Sequence, residues 1–125
     1  MSENFTIPID KRVITMLIDK DVTINQYLDE NERSYSVQLL NILLSYHSDQ
    51  GGAPDISDYD LDEDEIWFDS ATLKGSFSIS YLVSYYYGCV DMNNSETFEM
   101  SWNISIDLKN ETITFTGPEK WIVGN

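Results

Sequence analysis

The side chains best able to do chemistry in this chain are carboxylates gathered in one stretch. Residues 55–69, DISDYDLDEDEIWFD, hold eight Asp and Glu and no Lys or Arg. Aspartates recur there at every second position, at Asp58, Asp60, Asp62 and Asp64. This order partly matches a calcium-binding helix-loop-helix loop, but that loop needs Gly at its sixth position and Glu at its twelfth, where this chain has Glu63 and Asp69. We therefore predict a solvated acidic loop, with no metal and no cofactor.

Catalytic chemistry has little support among the other residues. His47 is the only histidine and Cys89 the only cysteine, and their spacing gives no reason to pair them as base and nucleophile. His47 falls on an apolar helical face, so we expect it to be packed, and we expect Cys89 to be a buried thiol near a strand end. The chain also lacks a GxGxxG or P-loop pattern. These observations predict a protein that is not an enzyme.

The charge of the chain narrows the class of partner. Twenty-two acidic and seven basic residues give a net charge of -15 and a pI near 4.1. Such a field repels nucleic acid and anionic membranes and attracts a basic protein. The single cysteine fits a reducing compartment, and no apolar run approaches the roughly 20 residues that a membrane-spanning helix needs. We expect a cytoplasmic protein that binds neither nucleic acid nor membrane directly.

Aromatic residues border the acidic stretch and recur in a later strand. Trp67 and Phe68 follow the acidic run, and Tyr86 lies between Tyr85 and Tyr87. Because neighbouring residues of a strand point to opposite faces, we expect Tyr86 to face away from the core, and Trp67 and Phe68 to diverge. Two interpretations stay open: the outward ring is partly covered by a neighbouring strand, or it is an anchor at the centre of a protein interface.

Segments near the amino terminus have the periodicity of helices. PIDKRVITMLIDKD predicts one helix, and DVTINQYLDENER is compatible with one or two further turns. SYSVQLLNILLSYHS predicts a helix of about four turns, with Ser34 as its N-cap and Gly51 and Gly52 to end it. Its main apolar line is Val37, Leu40, Leu44 and His47, flanked by Leu39, Leu43 and Tyr46.

The second half of the chain changes to the period of two that strands have. GSFSISYLVSYYYGCV, TFEMSWNISIDL and TITFTG alternate apolar with polar residues, and EIWFDSATL is the expected additional strand. The predicted inward residues are Phe77, Ile79, Tyr81, Val83, Tyr85, Tyr87, Phe98, Met100, Trp102, Ile104, Ile106, Leu108, Ile113 and Phe115. We predict one α+β domain over residues 1–125, with two or three amino-terminal helices packed on one face of a three- to four-stranded antiparallel meander sheet.

Small size, strong acidity and the stretch DYDLDEDEIWFD together resemble the immunity proteins that bacteria carry against secreted nuclease toxins. Those of contact-dependent growth inhibition systems are small, cytoplasmic and often acidic, and they cover the toxin's cationic active site or an adjoining surface. The resemblance implies a basic toxin nuclease domain as partner, neutralised by occlusion. The acidic stretch and its aromatic neighbours then predict the partner-binding residues Asp58, Asp60, Asp62, Glu63, Asp64, Glu65, Trp67, Asp69 and Tyr86.

Two other functions stay open at this stage. A nucleic-acid mimic, such as an anti-restriction or anti-CRISPR protein, would space its carboxylates along an extended surface as duplex phosphates are spaced. A small α+β ligand-binding domain or enzyme would line an internal pocket with the Tyr and Ser of residues 76–87. Because no Lys or Arg occurs in residues 34–73, the negative charge is concentrated, which favours a local docking patch over a mimic.

Overall fold

The computed structural model describes residues 2–47, 53–56, 59–86 and 93–119 of the 125-residue chain. The first elements are β1 Ser2–Pro8, α1 Lys11–Ile18, α2 Ile24–Glu30 and α3 Glu32–Ser45. Three short strands follow, β2 Ala53–Asp55, β3 Tyr59–Leu61 and β4 Trp67–Asp69, with a 3₁₀ turn at Glu63–Glu65 between the last two. The long strands are β5 Lys74–Tyr86, β6 Asn93–Asp107 and β7 Thr112–Glu119.

The strands of the described residues form one antiparallel sheet of seven. Its order is β1-β7-β6-β5, and β2, β3 and β4 follow one another along the remaining side of β5. The α+β class and the meander of β5, β6 and β7 are therefore confirmed. Two finer predictions are wrong, because the sheet exceeds three or four strands and a strand precedes the helices. β1 is held by pairing with β7, where Thr6 lies opposite Thr114, and no local pattern reveals so distant a partner.

One face of the sheet is apolar and shares a core with the helices. The buried inward residues of the long strands are Phe77, Ile79, Tyr81, Val83, Trp102, Ile104, Ile106, Ile113 and Phe115. Phe98 and Met100 are half-buried, whereas Leu108 is exposed because β6 ends one residue earlier. The ring of Tyr35 in α3 lies 5.4 Å from that of Phe115. The predicted alternation is thus confirmed at these positions except Leu108, whereas the side chain of Tyr85 and all of Tyr87 lie outside the described part of the chain.

Helix α3 forms as predicted, and its buried line runs through the predicted flanking residues Leu39 and Leu43 instead of through Val37. Its buried residues are Tyr35, Leu39 and Leu43, whereas Val37 is 66% exposed. Tyr35 accounts for this orientation, because its ring packs in the core and its hydroxyl donates a hydrogen bond to the Leu28 carbonyl oxygen at 2.7 Å. The predicted line through Val37 therefore lies on the side of the helix, not at its centre.

The ends of α3 also differ from the prediction. The helix begins after Asn31, so Ser34 lies inside the first turn instead of capping it. It ends at Ser45, before Gly51 and Gly52, which lie outside the described residues. Helix termination by the two glycines is therefore wrong.

Local caps fix where the two shorter helices begin. The carboxylate of Asp10 accepts a hydrogen bond from the Arg12 backbone N–H at 2.8 Å, at the start of α1. Thr23 and Gln26 form a capping box at the start of α2, in which each side chain accepts from the other residue's backbone N–H. Such reciprocal bonds satisfy donors that a helix terminus otherwise leaves unpaired. The caps matter for the site because α2 borders the acidic stretch.

The acidic stretch lies along one edge of the sheet, where it forms short separate strands instead of one continuous strand. β2 pairs with residues 84–86 of β5, β3 with residues 79–81, and β4 with residues 74–76. Of the additional strand predicted from EIWFDSATL, only Trp67–Asp69 forms. The chain then turns back into β5, with Leu73 at a positive φ of 59°.

Candidate functional site

The carboxylates project because the acidic stretch is longer than the part of β5 that it crosses. Five residues, 62–66, separate β3 from β4, whereas only two residues of β5 separate the parts that pair with them. The excess forms a turn, which is held where the Asp62 N–H donates to the Ser78 carbonyl oxygen at 3.0 Å. The Asp62 carboxylate accepts from the Asp64 N–H at 3.1 Å. This geometry directs consecutive carboxylates away from the sheet.

The structure gathers most of the predicted site residues on this edge. The exposed carboxylates are Asp60, Asp62, Glu63, Asp64, Glu65 and Asp69. Asp58 lies outside the described residues. Tyr86 closes β5 opposite Ala53, and its side chain is not among those described. Six of the predicted carboxylates, together with Asp55, are therefore exposed on a segment that contains no Lys or Arg.

Trp67 and Phe68 diverge as predicted. Trp67 is 55% exposed, whereas Phe68 is half-buried and packs against the core. Strand β4 can pair closely with β5 because Gly75, opposite Phe68, has no Cβ. An added methyl group would meet the Trp67 carbonyl oxygen and the Phe68 Cα. Gly75 therefore holds the exposed Trp67 beside the acidic turn.

Two neighbouring cavities lie between this edge and the helices, and we call them together the edge groove. The mainly apolar half, of about 280 Å³, is bordered by Leu17, Val22, Ile24, Ile66, Trp67 and Phe68, and Lys20 also borders it. The acidic half, of about 200 Å³, is bordered by Asp29, Glu32, Asp60, Glu63, Tyr35 and Tyr59. Asn25 and Ile66 border both halves. The two cavities thus lie side by side, one lined mainly by apolar side chains and the other bordered by carboxylates.

Carboxylates enter the acidic half from two directions. Asp29 and Glu32 come from α2 and α3, and Asp60 and Glu63 from the sheet edge. Among the described residues that border this half, none is Lys, Arg or His. Burial raises the pKa of Tyr35 above its usual range, with smaller contributions from Tyr59, Glu32 and Asp29. Tyr35 therefore stays neutral, and the charge of this half comes from its carboxylates.

His47 and Tyr81 do not belong to the groove. The exposed fraction of His47 is 1%, and its Nε2 lies 2.8 Å from the Tyr81 hydroxyl oxygen. The expected burial of His47 is thus confirmed, whereas Cys89 lies outside the described residues. Tyr81, a residue of the strand that could have lined an internal pocket, is buried in the core instead.

Metal sites and membrane-spanning helices are two features that the described residues lack. Within residues 2–47, 53–56, 59–86 and 93–119, no group of three or more His, Cys, Asp or Glu is arranged to hold a metal ion. In the same ranges, no helix combines the length and the apolar character needed to cross a membrane. Asp58, the first position of the calcium-loop spacing, lies outside them.

Comparisons of the chain with protein-family models, with curated proteins and with solved structures give no match. Support for the candidate site therefore comes from its geometry alone. Sequence reasoning missed Asp29 and Glu32, although both stand in the acidic run LDENE. Only the orientation of α2 and α3 shows that these two carboxylates face the groove.

Proposed function

We propose that this protein is a non-enzymatic binding protein that neutralises a basic protein partner, in the manner of an immunity protein acting on a toxin nuclease. The observation that carries the proposal is the acidic edge, where six of the predicted carboxylates are exposed on a segment that itself contains no Lys or Arg. A nuclease holds phosphates with Lys and Arg, and carboxylates pair with the same side chains. Covering them removes the surface that the nuclease needs for its substrate.

The charge and the exposed aromatic ring contribute in different ways. A net charge of -15 accelerates the encounter with a basic partner and selects against acidic ones. Trp67, at the border of the acidic turn, supplies contact area that loses water on binding, as central Trp residues do in many interfaces. We therefore expect the carboxylates to raise the rate of association, and the contact around Trp67 to slow dissociation.

The arrangement favours local occlusion over nucleic-acid mimicry. A mimic needs its carboxylates along an extended surface that follows the phosphates of a duplex, about one charge per 3.4 Å of helix axis for each strand. Here the carboxylates gather on one turn and around one groove. The ligand-binding alternative has less support, because Tyr81 lies in a filled core.

The test is a titration with the product of the gene immediately upstream, which the proposal expects to be a basic nuclease domain, prepared with a weakened active site for binding and intact for activity. We expect a 1:1 complex whose affinity falls as salt is raised, and loss of nuclease activity at equimolar ratio. An intact nuclease that stays active with excess protein would contradict the proposal. Binding of a restriction or CRISPR component instead would point to mimicry.

A further inference from the structure

We propose that the edge groove is a two-part docking site for one protein segment, which inserts a Lys or Arg side chain into the acidic half and an adjacent apolar side chain into the apolar half. This inference rests on the proposed function and specifies how the partner is held. It differs from a general acidic patch, because it assigns binding to residues of α2 and α3 that lie outside the acidic stretch.

The two halves can be filled by neighbouring side chains because they share a boundary. Asn25 and Ile66 border both cavities, so the two cavities adjoin at these residues. Asn25 comes from the first turn of α2, and Ile66 links the acidic turn to β4. A segment lying along this boundary can reach both cavities at once.

The acidic half has the chemistry that a cationic side chain requires. Four carboxylates can accept hydrogen bonds, and among the described residues no Lys, Arg or His borders this cavity. A guanidinium group offers five N–H donors and an ammonium group three, so either can bond to carboxylates on both walls. Because the carboxylates come from the helices and from the sheet edge, the inserted charge is held from two sides.

The apolar half provides hydrophobic contact in addition to the electrostatic attraction of the acidic half. Leu17, Val22 and Ile24 form its helical side, and Ile66 and Phe68 its sheet side. Trp67, 55% exposed, stands at the border of the same cavity. An apolar side chain placed here loses water against these residues, and such buried contacts lengthen the lifetime of a complex.

Charge complementarity identifies the occupant as a basic protein. The surrounding turn and the whole chain are strongly negative, so nucleic acid and acidic peptides are repelled. A small cation could enter the acidic half but would leave the apolar half empty. Only a segment with a basic residue beside an apolar one matches both halves.

The experiment compares the groove with matched substitutions elsewhere on the protein, using the weakened nuclease domain as the probe. Asp29→Asn with Glu32→Gln removes two charges from the acidic half. Glu96→Gln with Glu99→Gln removes two exposed charges from β6, outside the groove. We expect the first pair to weaken binding about tenfold or more, mainly through faster dissociation, and the second to change it less than about threefold.

A second comparison tests the apolar half. Trp67→Ala and Leu82→Ala each remove a large exposed apolar side chain, but Leu82 does not border the groove. We expect about a tenfold loss of affinity for the first variant and less than about a twofold loss for the second. Circular dichroism and urea unfolding of all four variants check that they fold as the unmodified protein does.

The outcomes separate this inference from the proposed function. The unmodified protein could bind the nuclease domain while the groove variants lose no more affinity than their controls. In that case docking in the groove is wrong, and the proposed inhibition by occlusion is not contradicted. If the unmodified protein does not bind or inhibit the nuclease, the proposed function itself fails. Loss confined to the groove variants supports both.

Discussion

The two edges of the sheet are built in opposite ways. β1 forms one edge as a continuous seven-residue strand, and its only charged residue is Glu3. The other edge is divided among β2, β3 and β4, and a projecting turn interrupts it. Its described carboxylates are Asp55, Asp60, Asp62, Glu63, Asp64, Glu65 and Asp69. The two edges share a sheet and a core, so the core does not explain the difference in charge.

The contrast shows that protection of an edge is not a sufficient reason for the charge. Edge strands offer unpaired backbone groups to other chains, and proteins discourage such pairing with charges, proline or interruptions. β1 carries one carboxylate and ends in Pro8, whereas the acidic edge is interrupted twice before its charges are considered. The excess of carboxylates beside a groove is what the proposed partner binding accounts for.

The largest expected effect lies at the β1 edge and concerns stability. The rings of Phe5 and Phe115 stack with centroids 4.8 Å apart, and both are buried. Phe5→Ala should lower the free energy of unfolding by about 3–5 kcal/mol, because it leaves a cavity where β1 joins the core. Urea unfolding measures the loss, and Asn4→Ala, an exposed neighbour, should stay within about 0.5 kcal/mol of the unmodified protein. A loss below about 1 kcal/mol for Phe5→Ala would show that packing of β1 against the core contributes little to the free energy of unfolding.

The second-largest effect disturbs the close pairing of β4 with β5 without changing any charge. Gly75→Ala places a methyl group against the backbone of Trp67 and Phe68, and we expect a loss of about 1–3 kcal/mol in the free energy of unfolding. Amide hydrogen exchange should show faster opening of β4 than of β7. Ser80→Ala, on the same strand, is the control. Unchanged protection of β4 would mean that Gly75 does not position Trp67.

A third effect belongs to the helices beside the groove and is seen only in alkali. Burial raises the pKa of Tyr27 from 10.0 to about 12. Because the unfolded chain then loses its proton first, the stability due to the neutral tyrosine is complete below pH 10 and is lost as the pH rises toward about 12. Unfolding at a series of pH values should show this decline, and Tyr27→Phe should reduce its slope. An unchanged slope in that variant would assign the decline to other groups.

The smallest expected effect separates partner binding from edge protection. Asp64→Asn with Glu65→Gln should change the free energy of unfolding by less than about 0.5 kcal/mol, because both side chains are exposed. The protein should keep its state of association in sedimentation, since the turn still interrupts the edge. Self-association of this variant, absent from the unmodified protein, would instead assign the carboxylates to edge protection.

The features that could be predicted from the sequence are those with a local cause. The alternation around Trp102 and Ile104 identified β6, because residues two apart share a face of a strand. The buried face of α3 could not be chosen, since Val37 and Tyr35 lie on competing apolar lines and only the Tyr35 hydrogen bond to Leu28 distinguishes them.

The groove could not be predicted for a similar reason. It requires Asp29 and Glu32 to meet Asp60 and Glu63, and the chain between them gives no signal of that approach. The pairing of β1 with β7 is equally distant. The acidic stretch itself was evident from composition, whereas its place at an edge and its projection depend on a mismatch in length with β5.

The most direct measurement is the affinity of an Asp60→Lys, Asp64→Lys variant for the basic nuclease domain, taken by calorimetry at several salt concentrations. Both side chains are exposed, so folding should be intact. We expect binding to weaken about tenfold or more and to depend less on salt, whereas Glu96→Lys with Glu99→Lys, outside the groove, should have a much smaller effect. Unchanged affinity, or an equal loss in both variants, would contradict docking through the acidic edge.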